Sequence, residues 1–186
     1  IDQVVIYRLD ARSGKLRPND PSFGRIHAGA APRHVAFGKS GRVAYVNGEA
    51  DMTLAVCTYD PSSGALEEVQ CLSTLPPAAT DNDNLSTAEV AVSPSGHFVY
   101  VSNRGHDSIA IYAIDQTNGR VTPRGNAPTN GRTPRNFAIS PNGERLYAAN
   151  QDSDTIVHFD IDPRTGELSP NGDVTSVGSP VCVLFS

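Results

Sequence analysis

Three sequence signals recur along the chain with one period, and this repeat limits the possible folds more than any other feature. The first is an aspartate followed four residues later by glycine. It occurs at intervals of 50, 55 and 47 residues, at Asp10, Asp60, Asp115 and Asp162. The second is a glycine followed four residues later by a tyrosine, at Gly41/Tyr45, Gly96/Tyr100 and Gly143/Tyr147. The third is a short apolar run that begins at Pro32, Thr87, Pro134 and Pro180. Such a period indicates one supersecondary unit that is stacked repeatedly.

Each repeat unit reads as four short β-strands. In the unit that begins at Pro134, the predicted strands are 135–139, 145–149, 155–161 and 167–174. They are rich in Val, Ile, Tyr and Phe and are bounded by Pro, Gly, Asn and Asp. The 16 glycines and 14 prolines favour many turns, and no helical periodicity is evident. We therefore predict an all-β fold, a β-propeller of four-stranded antiparallel blades.

The chain holds three complete units and parts of two others. The predicted boundaries are 1–31 for the second half of a blade, 32–86, 87–133 and 134–179 for whole blades, and 180–186 for a closing inner strand. Fewer than four blades cannot close a ring and cover its sheet edges. We therefore expect the 186 residues to be an incomplete part of a propeller, completed by missing N-terminal blades or by self-association.

Composition and motifs exclude several classes of partner. A net charge of −5 argues against nucleic-acid binding, and no apolar run is long enough to span a membrane. The odd number of cysteines, three, favours reduced thiols in a cytoplasmic protein. The five histidines lack the spacing of a zinc site, and Asp81–Asn84 reads as a solvated loop rather than a calcium loop. We expect no cofactor and no metal.

One face of each blade carries residues that differ between repeats. In a blade, the start of the inner strand and the end of the second strand lie on the same face. These positions carry charged or polar residues: Arg33, His34, Glu89, Arg135, Asn136, Glu49, Arg104 and Gln151. Positions fixed by blade packing would be alike in every unit, so this variation indicates a site built on the scaffold. The alternative is a set of solvated loop ends.

The chemistry of this set suits a small anionic substrate. Arg33, Arg104 and Arg135 can hold carboxylate or phosphate oxygens, and Glu49 is a candidate for general acid or base. On the residues alone, Glu49 is the proton-transfer candidate, and Arg33, Arg104 and Arg135 are candidates for holding the anion. Because His34 directly follows Arg33 in a strand, its side chain is expected to point the opposite way. The long connection 76–86 lies on the same face and is a candidate lid.

The motifs that carry these residues resemble a known family. The segments 32–37, 45–49, 100–105, 134–137 and 149–154 resemble the seven-bladed propeller lactonases, which include 6-phosphogluconolactonases and the 3-carboxy-cis,cis-muconate lactonising enzyme. The match would correspond to the C-terminal half of a member. Arg33, Glu49 and Arg104 match the family's two arginines and glutamate, and the resemblance implies that these three are catalytic. We assign His34, Arg135 and Gln151 as substrate-binding. The family's histidine would lie upstream of Ile1.

The resemblance implies metal-independent hydrolysis of a small anionic sugar lactone such as 6-phosphoglucono-δ-lactone. In that mechanism arginines bind the anion and polarise the carbonyl, while Glu49 or the upstream histidine moves a proton. Arginine serves phosphate and carboxylate equally, so a carboxymuconate-type cycloisomerase stays open. A non-catalytic propeller that acts as a binding platform is the third possibility.

Overall fold

The computed structural model describes residues 1–77, 79 and 84–185, and these form four antiparallel sheets. The first sheet pairs β1 (Gln3–Asp10) with β2 (Lys15–Arg25). The second contains β3 (Pro32–Phe37), β4 (Val43–Gly48), β5 (Thr53–Tyr59) and β6 (Leu66–Ser73). The third contains β7 (Ser86–Val92), β8 (Phe98–Arg104), β9 (Ser108–Ile114) and β10 (Val121–Pro128). The fourth contains β11 (Pro134–Ile139), β12 (Arg145–Asn150), β13 (Thr155–Ile161) and β14 (Leu168–Ser176).

The predicted fold class is confirmed. Each complete sheet is antiparallel with its strands in chain order, and the only helical element in the described ranges is a 3₁₀ turn, Gln151–Ser153. No helix among the described residues has the length and apolar character to cross a bilayer. The inner strand β7 contacts both β3 and β11, so the inner edges of the three blades are neighbours.

Two details at the ends of the chain differ from a simple count of strands. Strand β2 runs to Arg25, because a register shift between Val5 and Tyr7 lets its pairing with β1 resume at Phe23. Residues 180–185 belong to none of the four sheets, so the closing inner strand stays a prediction.

The core consists of layers between neighbouring sheets. Between the second and third sheets, Leu54 and Val56 pack with Val99 and Val101, all essentially buried. Large side chains of the third and fourth sheets form the next layer: Phe98, Tyr100, Ile109, Ile111, Phe137, Leu146, Val157, Phe159 and Ile161. Face-to-face packing of this kind is what alternating Val, Ile and Phe in short strands produces.

A tyrosine of one blade donates a hydrogen bond to a turn of the next blade. The hydroxyl of Tyr45 donates to the carbonyl of Gly119 at 2.9 Å, and that of Tyr100 donates to the carbonyl of Gly166 at 3.0 Å. Burial raises the pKa of Tyr45 to about 12, which keeps this hydroxyl protonated. The two glycines have positive φ and closely approach the neighbouring blade: a Cβ on Gly166 would lie 2.5 Å from the ring of Phe98. The repeated tyrosine of one blade is therefore hydrogen-bonded to the repeated turn glycine of the next blade.

Tyr100→Phe is expected to destabilise the protein by about 1–3 kcal/mol, because the buried carbonyl of Gly166 loses its donor while the packing is kept. Urea denaturation measures the change. The matched control is Tyr147→Phe, since the hydroxyl of Tyr147 donates to no turn carbonyl of another described blade. Equal stability of Tyr100→Phe and the parent protein would show that this bond does not fix the blades.

Apolar side chains are exposed at both ends of the row of sheets. In the first sheet, Tyr7, Leu9 and Leu16 are each more than half exposed, and at the other end Val174 is 56% and Leu184 is 89% exposed. Faces of this kind normally pack against a further sheet. These exposed faces are therefore available for packing against another apolar surface.

The isolated 186-residue chain is expected to self-associate through these faces, because burying them removes apolar area from water. Light scattering over a concentration series, with binding of a hydrophobic dye, measures this. A dye-negative monomer at all concentrations would contradict the expectation.

Candidate functional site: an arginine–glutamate cluster across three blades

Glu49 lies between two arginines that come from different strands. Its Oε1 accepts a hydrogen bond from Nη2 of Arg104 and lies 3.6 Å from Nε of Arg33. Arg33 is the second residue of β3, Glu49 follows β4, and Arg104 ends β8 in the next blade. The arginine side chains are 17% and 15% exposed, whereas that of Glu49 is 40% exposed. The structure thus brings together the three residues that the sequence singles out as catalytic.

A β-bulge at the start of each inner strand places these groups. In β3, Arg33 and His34 together oppose Asn47, and the register shifts between Pro32 and Val35. Strands β7 and β11 begin with the same arrangement, in which two consecutive residues oppose one residue of the neighbouring strand. These residues are Ala88–Glu89 in β7 and 135–136 in β11. A bulge is invisible in the residue pattern, yet it determines the direction of both side chains.

The expected opposite orientation of Arg33 and His34 is therefore wrong. Because of the bulge, Nη1 of Arg33 lies 3.1 Å from Nε2 of His34 and also donates to the carbonyl of Ala88. His34 Nδ1 lies 2.7 Å from Oε1 of Glu89. The tautomer that satisfies both contacts carries its hydrogen on Nδ1, so that Nε2 accepts from Arg33.

Glu89 extends the cluster to the third blade. Its Oε1 accepts from His34 and from the backbone N–H of Val90, and its Oε2 accepts from Nδ2 of Asn136. Only 15% of its side chain is exposed. Glu89 and Asn136 belong to the variable set of the sequence, but neither was assigned a role there. A continuous row of contacts runs from Arg104 through Glu49, Arg33, His34 and Glu89 to Asn136.

Two predicted substrate-binding residues lie outside this row. Arg135 is close enough for its charge to act on Arg33, but it forms no hydrogen bond or ion pair within the described ranges. Gln151 begins the 3₁₀ turn; its backbone N–H donates to Thr133, and its buried Oε1 has no partner among the described residues. Among the described residues, neither side chain forms a hydrogen bond or ion pair with Glu49.

Positive charge is crowded in this cluster. Burial, and then the charge of Arg104, lower the pKa of Arg33; Glu49 and Glu89 oppose the shift, whereas Arg135 adds to it. Three guanidinium groups face two carboxylates in a chain whose net charge is −5. This local excess of positive charge favours binding of an anion.

The proposed lid is only partly described. Residues 78 and 80–83, which include most of the Asp81–Asn84 segment, lie outside the described residues. Leu85, at the end of this connection, is buried, and Thr74, just before the connection, donates to the carbonyl of Met52. Closure of this connection over the site stays a prediction.

Asn47 holds the bulge that presents Arg33 and His34. It is fully buried, its Oδ1 accepts from the N–H of His34 at 2.9 Å, and its Nδ2 donates to Oγ1 of Thr87 and the carbonyl of Ala88. Ser102 has the equivalent position in the next blade, where its Oγ accepts from the N–H of Glu89. One buried side chain therefore joins the bulges of two blades.

The repeated sheets and the polar row at their inner strands define a propeller with a charged group shared by adjacent blades. A profile of the family described as "Lactonase, 7-bladed beta-propeller" matches residues 1–185. The chain belongs to this family of seven-bladed propeller lactonases.

Individual relatives agree with that membership. A 6-phosphogluconolactonase of Bacillus subtilis is 38% identical over 137 residues, which are 74% of this chain and 38% of the relative. The periplasmic gluconolactonase PpgL of Pseudomonas aeruginosa superposes with a TM-score of 0.88 at 31% identity, over 96% of this chain and 49% of that one. A protein from Lactobacillus plantarum superposes with a TM-score of 0.90 at 30% identity, over 97% of this chain and 51% of that one. The chain thus spans about half the length of these solved structures.

Asn47→Ala is expected to lower the free energy of unfolding by about 2–4 kcal/mol, because the N–H of His34 and the carbonyl of Ala88 lose buried partners. Urea denaturation measures the loss. Ser102→Ala, which removes one bond to the equivalent bulge, should cost about 1 kcal/mol. If both variants cost the same, Asn47 has no special role in joining the blades.

Proposed function

We propose that the chain carries a lactonase site for a small anionic sugar lactone such as 6-phosphoglucono-δ-lactone. The observation that carries the proposal is the sharing of Glu49 by two arginines from adjacent blades, in a family of propeller lactonases. The names of the relatives, 6-phosphogluconolactonase and gluconolactonase, support a sugar lactone as the substrate class.

The arginines supply anion binding. Guanidinium groups bind phosphate or carboxylate oxygens through paired hydrogen bonds, and they do so more strongly where water is partly excluded. Arg33 and Arg104 are mostly buried but border the more exposed Glu49, and Arg135 adds charge without a partner of its own in the described ranges. We assign the substrate's anionic group to this side of the cluster, with His34 and Gln151 as further binding residues.

The hydrolytic step requires a base and stabilisation of an oxyanion. Both arginine contacts of Glu49 involve Oε1, and Oε2 has no hydrogen-bond partner in the described part of the chain. In our proposal Oε2 of Glu49 takes a proton from a water molecule as the water oxygen attacks the lactone carbonyl. An arginine stabilises the negatively charged oxygen that forms. Collapse of the intermediate breaks the ring C–O bond, and the departing ring oxygen takes up a proton. The residues in these roles need no metal.

Glu49→Gln in the complete enzyme is expected to lower kcat by about 100-fold or more, because the amide keeps the shape but cannot accept the proton. The rate of 6-phosphoglucono-δ-lactone hydrolysis, monitored through the protons it releases, measures the change in kcat. Glu67→Gln is the matched control, since Glu67 is exposed on β6.

Arg104→Ala distinguishes the substrate classes in the same assay. It should weaken binding of the anionic lactone by a factor of roughly 10–100 for each lost charge-assisted bond, with less effect on an uncharged gluconolactone. Arg120 is an exposed arginine near the opposite turns, and Arg120→Ala should leave kcat and KM unchanged.

Full activity of Glu49→Gln would overturn the assignment of the base. Turnover of a carboxymuconate, but of no sugar lactone, would replace the proposed substrate with that of a cycloisomerase.

A further inference from the structure

A second cluster of ionisable side chains lies away from the inner strands. His27 is in the connection between β2 and β3, Glu68 and Cys71 are on the outer strand β6, and Asp51 is in the turn between β4 and β5. These residues are up to 44 positions apart in sequence. The cluster takes no part in the lactonase site proposed above.

The ligand atoms of this cluster are within reach of a single ion. Nδ1 of His27 lies 3.0 Å from Oε2 of Glu68, and Nε2 lies 2.7 Å from Oδ2 of Asp51 and 3.7 Å from Sγ of Cys71. One ligand atom from each of His27, Glu68 and Cys71 lies within 4.8 Å of the other two. Donor atoms around a tetrahedral zinc ion are roughly 3.5 Å apart, so the Cys71 side chain would rotate toward Nδ1 of His27, the ring nitrogen that Asp51 leaves free, to complete the geometry.

Negative groups outnumber positive ones here. Two carboxylates, with side chains 28% and 18% exposed, face one imidazole, and their ion pairs in the described part of the chain are with His27 alone. A divalent cation would offset this charge.

We propose that His27, Glu68 and Cys71 bind a zinc ion, with water as a fourth ligand and Asp51 orienting the His27 ring. Imidazole nitrogen, thiolate sulfur and carboxylate oxygen form a donor set that suits zinc, whereas calcium and magnesium prefer oxygen alone. Asp51 accepts a hydrogen bond from the ring nitrogen that does not bind the ion, a common arrangement beside metal-bound histidines. As the S–Zn bond forms, the Cys71 S–H bond breaks and its proton passes to solvent.

The ion would join three separate segments of the chain. It would link the β2–β3 connection to β6, and through Asp51 to the turn that begins with Glu49. This role is structural, and it departs from the expectation from sequence that the protein holds no metal. The histidine spacing alone could not reveal it, because only one ligand is a histidine.

The experiment uses the full chain, freed of metal with a chelator and titrated with Zn²⁺ and then, separately, with Co²⁺. We expect one ion per chain by calorimetry and a thiolate-to-cobalt charge-transfer band in the absorption spectrum. Cys71→Ser should abolish that band, and Asp51→Asn should weaken zinc binding by about 10–100-fold. Cys182→Ser is the matched control, since Cys182 is also an exposed free cysteine.

A measurement without variants guards against misfolding. Zn²⁺ should slow the alkylation of Cys71 by iodoacetamide, followed by mass spectrometry, and should leave the rate at Cys182 unchanged. Equal rates with and without Zn²⁺ would overturn the proposal. So would the absence of the cobalt band in the unmodified chain, or its persistence in Cys71→Ser.

Discussion

The hydrogen bond from a buried tyrosine to a turn carbonyl of the following blade fixes how neighbouring sheets lie against each other. Tyr45 and Tyr100 make this bond to Gly119 and Gly166, and both glycines approach the adjacent sheet too closely for a side chain. Apolar packing between sheets has no direction and would allow them to slide. A hydrogen bond from a buried hydroxyl to a single acceptor prevents such sliding, because a shift leaves the carbonyl without a partner.

This constraint matters because the charged row is divided among blades. Glu49 comes from one blade, Arg104 from the next, and Asn136 from the one after. A small rotation of one sheet would separate the Glu49–Arg104 pair and leave the mostly buried guanidinium without a counter-charge, which is costly. The packing that stabilises the scaffold and the geometry that serves the site are therefore one property of the molecule.

Repeats made much of this arrangement predictable. Strands follow from the alternation of β-branched and aromatic residues with turn residues, and the site residues follow from where one repeat differs from the others. The orientation of His34 did not follow, since a bulge adds a residue without changing composition. The bond between Glu89 and Asn136 depends on which inner strands are adjacent. The His27 cluster combines residues 41 and 44 positions apart, a separation that no local pattern encodes.

The recurrent bulge also bears on how such a scaffold acquires new specificity. Without it, successive side chains of an inner strand would alternate, and each blade would offer one group to the central site. With it, two consecutive residues of a blade act at the same place, as Arg33 and His34 do. A bulged inner strand can therefore present two consecutive side chains, rather than one, at the same place. The number of side-chain combinations open to that strand is then the square of the number of residue types possible at one position. The hydrogen-bond ladders between the strands stay the same.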